Sequence, residues 1–306
     1  MYPTVLAPFT ARDGENLALY EWPLDAWAEE MGDDAPPPRA VVLLVHGLGE
    51  HANRYAHVAQ QLMGWGFAVR AYDQRGHGES GGARGVLPCE SALLDDLAEV
   101  VDDTRLRCMR LPNLVNTAES SPQQLPLILM GHSLGGLVVG RFVSLAMRPV
   151  EGLVMCSPAL DAGLSRIQKS LLALAPGFAR HHVFANGLDC RYISHDAQVV
   201  QAYQADTLVH DRMSVGLGRF IAAAGPATIA AAAHWQTPTL LMYAGDDRLV
   251  NPAGSRRFAQ AAAESPQVVA GTVTARCFEG LYHELLNELH PADVVDTLRV
   301  WLDARF

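Results

Sequence analysis

Basic residues are scarce beside acidic ones: 23 Lys and Arg stand against 33 Asp and Glu, a formal net charge of −10 over 306 residues. That sign disfavours nucleic acid, whose binding is mostly phosphate neutralisation by Lys and Arg. It also disfavours electrostatic docking on anionic lipid. Charge of either sign is sparse, 18% of residues against 49% hydrophobic, which excludes a disordered polar chain. Cysteine is sparse as well. Cys89, Cys108, Cys156, Cys190 and Cys277 lie far apart with no C-x-x-C pair, so reduced structural thiols are expected. Met1 to Thr10 has neither a basic n-region nor a long apolar core, and no signal peptide is expected. Both features point to the cytoplasm.

One 26-residue window, Phe220 to Gly245, holds no Asp, Glu, Lys or Arg. A membrane span needs about 20 mostly apolar residues. Gly225, Pro226, His234, Gln236 and Pro238 interrupt this one, so it reads as helix, break and buried strand. A chain of this length can bury roughly 75% of its unfolded surface without a disulfide or metal staple.

Short continuous apolar runs recur at Ala40–Val45, Phe67–Tyr72, Leu127–Met130, Gly152–Met155 and Thr239–Tyr243. Such runs, bounded by turn residues, read as strands buried on both faces of a parallel sheet. Helical spacing lies between them: Asn53 can cap a helix through Leu62, Ser91 another with Asp95, Asp96 and Glu99 early and Arg105, Arg107 and Arg110 late, a third follows Ser133, and a last spans about Ala292 to Trp301. Alternation of this kind predicts an α/β fold, a mostly parallel central sheet flanked by helices. The rhythm fails between Asp161 and Trp235, which reads as a helical cap without clear strands, inserted after the sixth strand. The expected organisation is a core over 1–160 and 236–306 with a cap over 161–235. Leu164, Ile167, Leu171 and Leu174 share one face of a cap helix, with Arg166 and Lys169 off it; that face can dock on the core or wall an acyl pocket. Asp25–Arg39 and Pro112–Pro126 read as loops.

Gly131-His132-Ser133-Leu134-Gly135 is a G-x-S-x-G between an expected strand and helix. Serine there sits on a sharp turn with its hydroxyl above the sheet, and flanking glycines leave room where Cβ atoms would collide. Leu134 N–H falls at a helix N-terminus, where donors are free for an anion. Serine needs an adjacent base, and the chain order here should be Ser, then Asp or Glu, then His. His283, after Val273–Phe278 and a Gly280 turn, is the expected base; His132 flanks the serine and His290 lies further on. Asp246 and Asp247 both follow the strand Thr239–Tyr243, and position alone separates them poorly. A second oxyanion donor is expected from Leu48 N–H in His46-Gly47-Leu48-Gly49, with His46 itself structural.

These segments resemble the monoacylglycerol lipase and lysophospholipase group of the α/β-hydrolase fold. The resemblance extends over His46–His51 with Arg54-Tyr55, Tyr72–Ser80, Gly131–Gly136, Ser157–Leu160, Asp247–Val250 and His283–Glu288. It implies a catalytic Ser133, Asp247 and His283, selecting Asp247 over Asp246, with oxyanion donors Leu48 and Leu134. It implies a carboxylic ester hydrolase without cofactor or metal, acting on a monoacylglycerol or similar neutral ester. Lysophospholipase action, or another acyl hydrolysis or transfer with the same triad, is the alternative. Asp73 and Arg75 are expected to form a loop-fixing ion pair.

A remoter rival is a dinucleotide-binding enzyme. Gly47-Leu48-Gly49-Glu50-His51-Ala52 fits G-x-G-x-x-A after a strand, with Asp73 at the end of the next one. It leaves the serine turn unexplained. His283-Glu284-Leu285-Leu286-Asn287 mimics a zinc motif but has Asn at the second ligand position.

Overall fold

The computed structural model describes residues 4–22, 38–108, 125–163, 170, 172 and 174–306. Eight strands form the central sheet: β1 (Thr4–Val5), β2 (Leu19–Trp22), β3 (Val41–Val45), β4 (Ala68–Tyr72), β5 (Leu127–His132), β6 (Gly152–Cys156), β7 (Thr239–Ala244) and β8 (Val273–Phe278). Their spatial order is β1-β2-β4-β3-β5-β6-β7-β8. β3 to β8 all run parallel; β2 pairs antiparallel with β4, and β1 with β2. The expected parallel strands are therefore present and contiguous.

Period-two alternation builds a core on each face of this sheet. Leu43, Val45, Leu129, Met155 and Leu241 point to one side, where they meet Leu97 and Val101 of α2 (Ala92–Cys108), Leu137 of α3 (Leu134–Ser144) and Phe258 of α6 (Ala253–Glu264). Val42, Leu44, Ile128, Val154 and Met242 point to the other, against Val58 and Leu62 of α1 (Ala56–Gly64) and Leu298 of α7 (Ala292–Asp303). Asn53 is not the cap of α1: it lies in a 3-10 turn, Ala52–Tyr55, that precedes the helix. Ser91 does stand immediately before α2, and its carbonyl accepts from Leu94 and Asp95 N–H.

Between β6 and β7 come α4 (Ala197–Ala205) and α5 (Val215–Ala231). A two-stranded hairpin also lies there, Val183–Ala185 against Arg212–Ser214, so the insertion is not strand-free as expected. The charge-free window divides into α5, a short 3-10 turn and β7. Val215–His234 has the length and hydropathy of a span. However, Leu217, Phe220, Ile221 and Ala224 of this helix are buried in the core, as in a core helix of a folded domain. The expected order of helix, break and strand is present, with Pro226 inside α5 and the break between His234 and Thr239. Proline removes one intrahelical donor, while the burial of Ile221, Ala224 and Thr228 around it holds the helix.

Asp73 and Arg75 do not pair with each other. Asp73 accepts from Ala52 N–H, Glu79 N–H and Tyr20 O–H at 2.7–2.8 Å, and Arg75 pairs with Asp96 and Asp13. Both fix loops, through different partners.

Candidate active site

Parallel sheets present their carboxyl ends to ligands, above all where the strand order reverses. Here β4 and β5 flank β3 on opposite sides, and the expected site residues gather over that edge. Ser133 ends β5 and opens α3 with φ 53° and ψ −116°, a conformation costly for a residue with a side chain. Close packing enforces it. A Cβ on Gly135 would strike the carbonyl oxygens of Val45 and His46, and one on Gly131 would strike the Gly135 carbonyl. Gly135→Ala is therefore expected to destabilise the fold by at least about 3 kcal/mol, as overpacking against rigid backbone does; urea unfolding of the variant measures it.

Ser133 and His283 line one cavity of about 300 Å³. His283, four-hundredths exposed, follows β8 and the Gly280 turn, where φ is 77°. Its Nδ1–H donates to Asp247 Oδ2 at 2.7 Å, leaving Nε2 as the basic nitrogen. Asp247 Oδ1 accepts the N–H groups of Leu249 and Val250 at 2.9 Å each, so the carboxylate cannot rotate away. Asp246 is exposed. Burial alone would lower the His283 pKa, but Asp247 and then Glu284 and Glu50 outweigh it and hold it above the ordinary value. Burial would raise Asp247, yet the imidazole and the two amides hold it below the usual carboxylate range. Ser133 Oγ makes no hydrogen bond to a described residue; catalytic hydrogen bonds often tighten only with substrate bound.

Leu134 N–H lies in the first turn of α3 and has no intrahelical acceptor. Leu48 follows β3 and lines the same cavity. His46 is structural: Nδ1–H donates to Gly47 O and Nε2 accepts Gln74 N–H, both at 2.8 Å. His132 packs its ring on that of His283, with centroids 4.6 Å apart. Burial and the neighbouring imidazole pull its pKa down to about 4, so it stays neutral beside His283. His290 is exposed before α7.

The outer wall of the cavity mixes apolar groups, among them Leu188, Ile193, Tyr203 and Val209, with polar ones. Asn186, Gln204, Asp206, His210 and Asp211 face it from the insertion. Of the expected apolar cap face, Leu164, Ile167 and Leu171 lie outside the described residues, as do Arg166 and Lys169, and Leu174 is 81% exposed. The loops Asp25–Arg39 and Pro112–Pro126 fall largely outside them too. His51 Nε2 binds Asp206 at 2.8 Å and His210 N–H binds Gly49 O at 2.9 Å, contacts to which sequence reasoning gave no role. The second of them occupies the glycine turn.

Residues 36–290 match the family described as serine aminopeptidase, S33. The chain belongs to that family. Among similar proteins, the monoacylglycerol lipase of Mycolicibacterium smegmatis is 36% identical over 272 residues, 87% of this chain and 88% of that one. Phospholipase YtpA of Bacillus subtilis is 27% identical, covering 88% of this chain and 97% of its own. The crystal structure of Paleococcus ferrophilus monoacylglycerol lipase superposes with a TM-score of 0.74 at 29% identity, over 88% of this S33 chain and 96% of that one.

Proposed function

We propose that this S33-family protein is a carboxylic ester hydrolase that cleaves monoacylglycerols or similar neutral esters through an acyl-enzyme. The observation that carries the reading is the convergence of Ser133 with the hydrogen-bonded Asp247–His283 pair on one cavity. In this mechanism His283 Nε2 takes the Ser133 proton as Oγ attacks the ester carbonyl. The Leu48 and Leu134 amides receive the oxyanion, a contribution typically worth ~10²–10³ in rate per donor. The imidazolium then protonates the departing alcohol. A water, deprotonated in turn by His283, releases the acid and restores Ser133. Asp247 keeps the proton on Nδ1 and balances the transient charge. Residues 161–235 act as the cap, with α5 docked on the core. The five cysteines are unpaired, which supports a reducing compartment, the cytoplasm.

Monoacylglycerol is favoured over lysophospholipid by the lining of the cavity. Asp206 and Asp211 line it, Glu50 and Glu284 line it already paired with Arg54, and among the described lining residues there is neither Lys nor Arg to receive a phosphate. A phosphate-bearing headgroup would meet like charge, which selects against it. The relationship to a phospholipase keeps the second reading in the test.

The test is twofold. A fluorophosphonate should label wild-type protein at Ser133. Across matched acyl chains, kcat/KM for a monoacylglycerol should exceed that for a lysophosphatidate by about 10² or more. Equal rates would overturn the substrate assignment, and absence of labelling would overturn the mechanism.

A further inference from the structure

The segments Glu50-His51 with Arg54-Tyr55 and Glu284 carry a buried charge network that the triad does not use. Arg54 Nη1 donates to Glu50 Oε2 at 2.5 Å and to Glu284 Oε1 at 2.8 Å, and Nη2 donates to Glu284 Oε2 at 2.8 Å. Glu50 Oε1 in turn accepts Gly47 N–H at 2.6 Å and Tyr55 O–H at 2.7 Å. Asn287 Nδ2 also donates to Glu284 Oε2. The Tyr203 ring of α4 covers the guanidinium, 4.8 Å from its carbon. All three charged side chains are nearly inaccessible, at 4%, 12% and 6% exposure for Glu50, Arg54 and Glu284.

We propose that Arg54, clasped by Glu50 and Glu284, is a positioning residue: the three side chains form a strut that holds the oxyanion turn at Gly47-Leu48 in register with the base His283. The inference rests on the triad reading above. The topology shows why a strut is needed. Leu48 follows β3 near the middle of the sheet, whereas His283 follows β8 at its edge, with β5, β6 and β7 between them. Five of the six β8 residues are at least partly exposed, so the base turn hangs from a thinly covered edge strand. Glu50 grips the amide one residue before Leu48. Glu284 adjoins His283. Arg54 is the only described side chain bonded to both carboxylates.

Energetics point the same way. Burying two carboxylates and a guanidinium is expensive, and apolar side chains of similar volume often serve stability as well or better. What the ionic version supplies is geometry, through a planar fork that accepts one arrangement. Burial alone would raise Glu50, but the charge of Arg54 leads the opposing effects and brings its pKa down to about 2. The carboxylate therefore stays ionised across the working range. Misplacement of a reacting group by about 1 Å can cost 10²-fold in rate, so slack between Leu48 and His283 should appear in the chemical step.

Arg54→Gln is the primary variant, with active sites titrated by fluorophosphonate. Per titrated site, kcat should fall at least about tenfold while KM changes less than about threefold. Arg54→Lys, which keeps the charge but not the fork, should recover part of the loss. Unchanged kcat per site with only a lowered melting temperature would show a structural role and overturn the proposal. If Arg54→Gln does not fold, Glu50→Gln and Glu284→Gln replace it. These carboxylates share Arg54 and have no bond to each other, so the double variant should be no slower than the slower single one. Multiplicative losses would overturn the strut. Labelling of wild-type Ser133 separates the two ideas: a labelled enzyme indifferent to these variants loses only the strut, and an unlabelled wild type removes both.

Discussion

Ser133→Ala is expected to lower ester turnover by about 10⁵–10⁶-fold, leaving only what the oxyanion donors and binding contribute. The fold should survive, because the substitution keeps Cβ and removes an oxygen with no hydrogen bond to a described residue. The strained backbone at this position is imposed by Gly131 and Gly135 packing, which alanine does not disturb. Melting temperature and circular dichroism should therefore match the wild type while p-nitrophenyl ester hydrolysis disappears. Substantial retained turnover would mean that another nucleophile acts, and the serine mechanism would fall.

The second large effect belongs to Asp247. In Asp247→Asn the Oδ1 atom can still accept Leu249 and Val250 N–H, so the loop should keep its shape. The amide NH₂ then faces His283 Nδ1 and donates to it. The imidazole proton is forced onto Nε2, where the base must be free. An Asp-to-Asn change of this kind drops kcat by about 10⁴ in a serine protease triad, and a loss of that order is expected here. Asp246→Asn, on an exposed side chain, should stay within about twofold.

The pH profile adds a signed check. Asp247 leads the effects that raise His283 above its ordinary value of 6.5. The protonated imidazole cannot accept the serine proton, so wild-type kcat/KM should fall as pH drops through a midpoint above 6.5. In the residual activity of Asp247→Asn that midpoint should move down, since the charge favouring the imidazolium is gone. A midpoint that stays put would assign the limb to another group.

What could be read from the sequence follows from what is local. Val41–Val45 and Leu127–Met130 announce buried parallel strands because both faces of each are covered and no residue can be polar. Gly131 and Gly135 mark the serine turn because backbone contact there leaves no alternative residue. The choice between Asp246 and Asp247 was not local. It depends on which carboxylate faces an imidazole 36 positions later, and family resemblance, rather than spacing, selected it. The insertion was the least legible part. The strands Val183–Ala185 and Arg212–Ser214 are three residues each and pair across 26 intervening positions, too short for a period to declare itself. The polar part of its wall was missed for a related reason: Asn186, Gln204 and Asp206 look like ordinary surface residues until the chain folds them over Ser133. Arg54 stood in a recognisable segment, but only the fold brings it to Glu284.

The insertion also has a consequence for redesign. Ser133, Asp247 and His283, with the proposed oxyanion donors Leu48 and Leu134, all follow strands of the central sheet, while Asn186 to Asp211 of the cavity lining come from the segment between β6 and β7, which invites exchange of that segment as a substrate-selecting cassette. Contacts of that segment limit the freedom to do so, two of them beside the site. The carbonyl of Ile193 accepts Glu284 N–H at 2.8 Å, one residue after the base, and the Tyr203 ring covers Arg54. A graft that reshaped the wall without supplying an acceptor and an aromatic face at those points would alter turnover along with selectivity. Retargeting this scaffold is thus better pursued by substituting wall residues such as Asn186 and Gln204 one at a time.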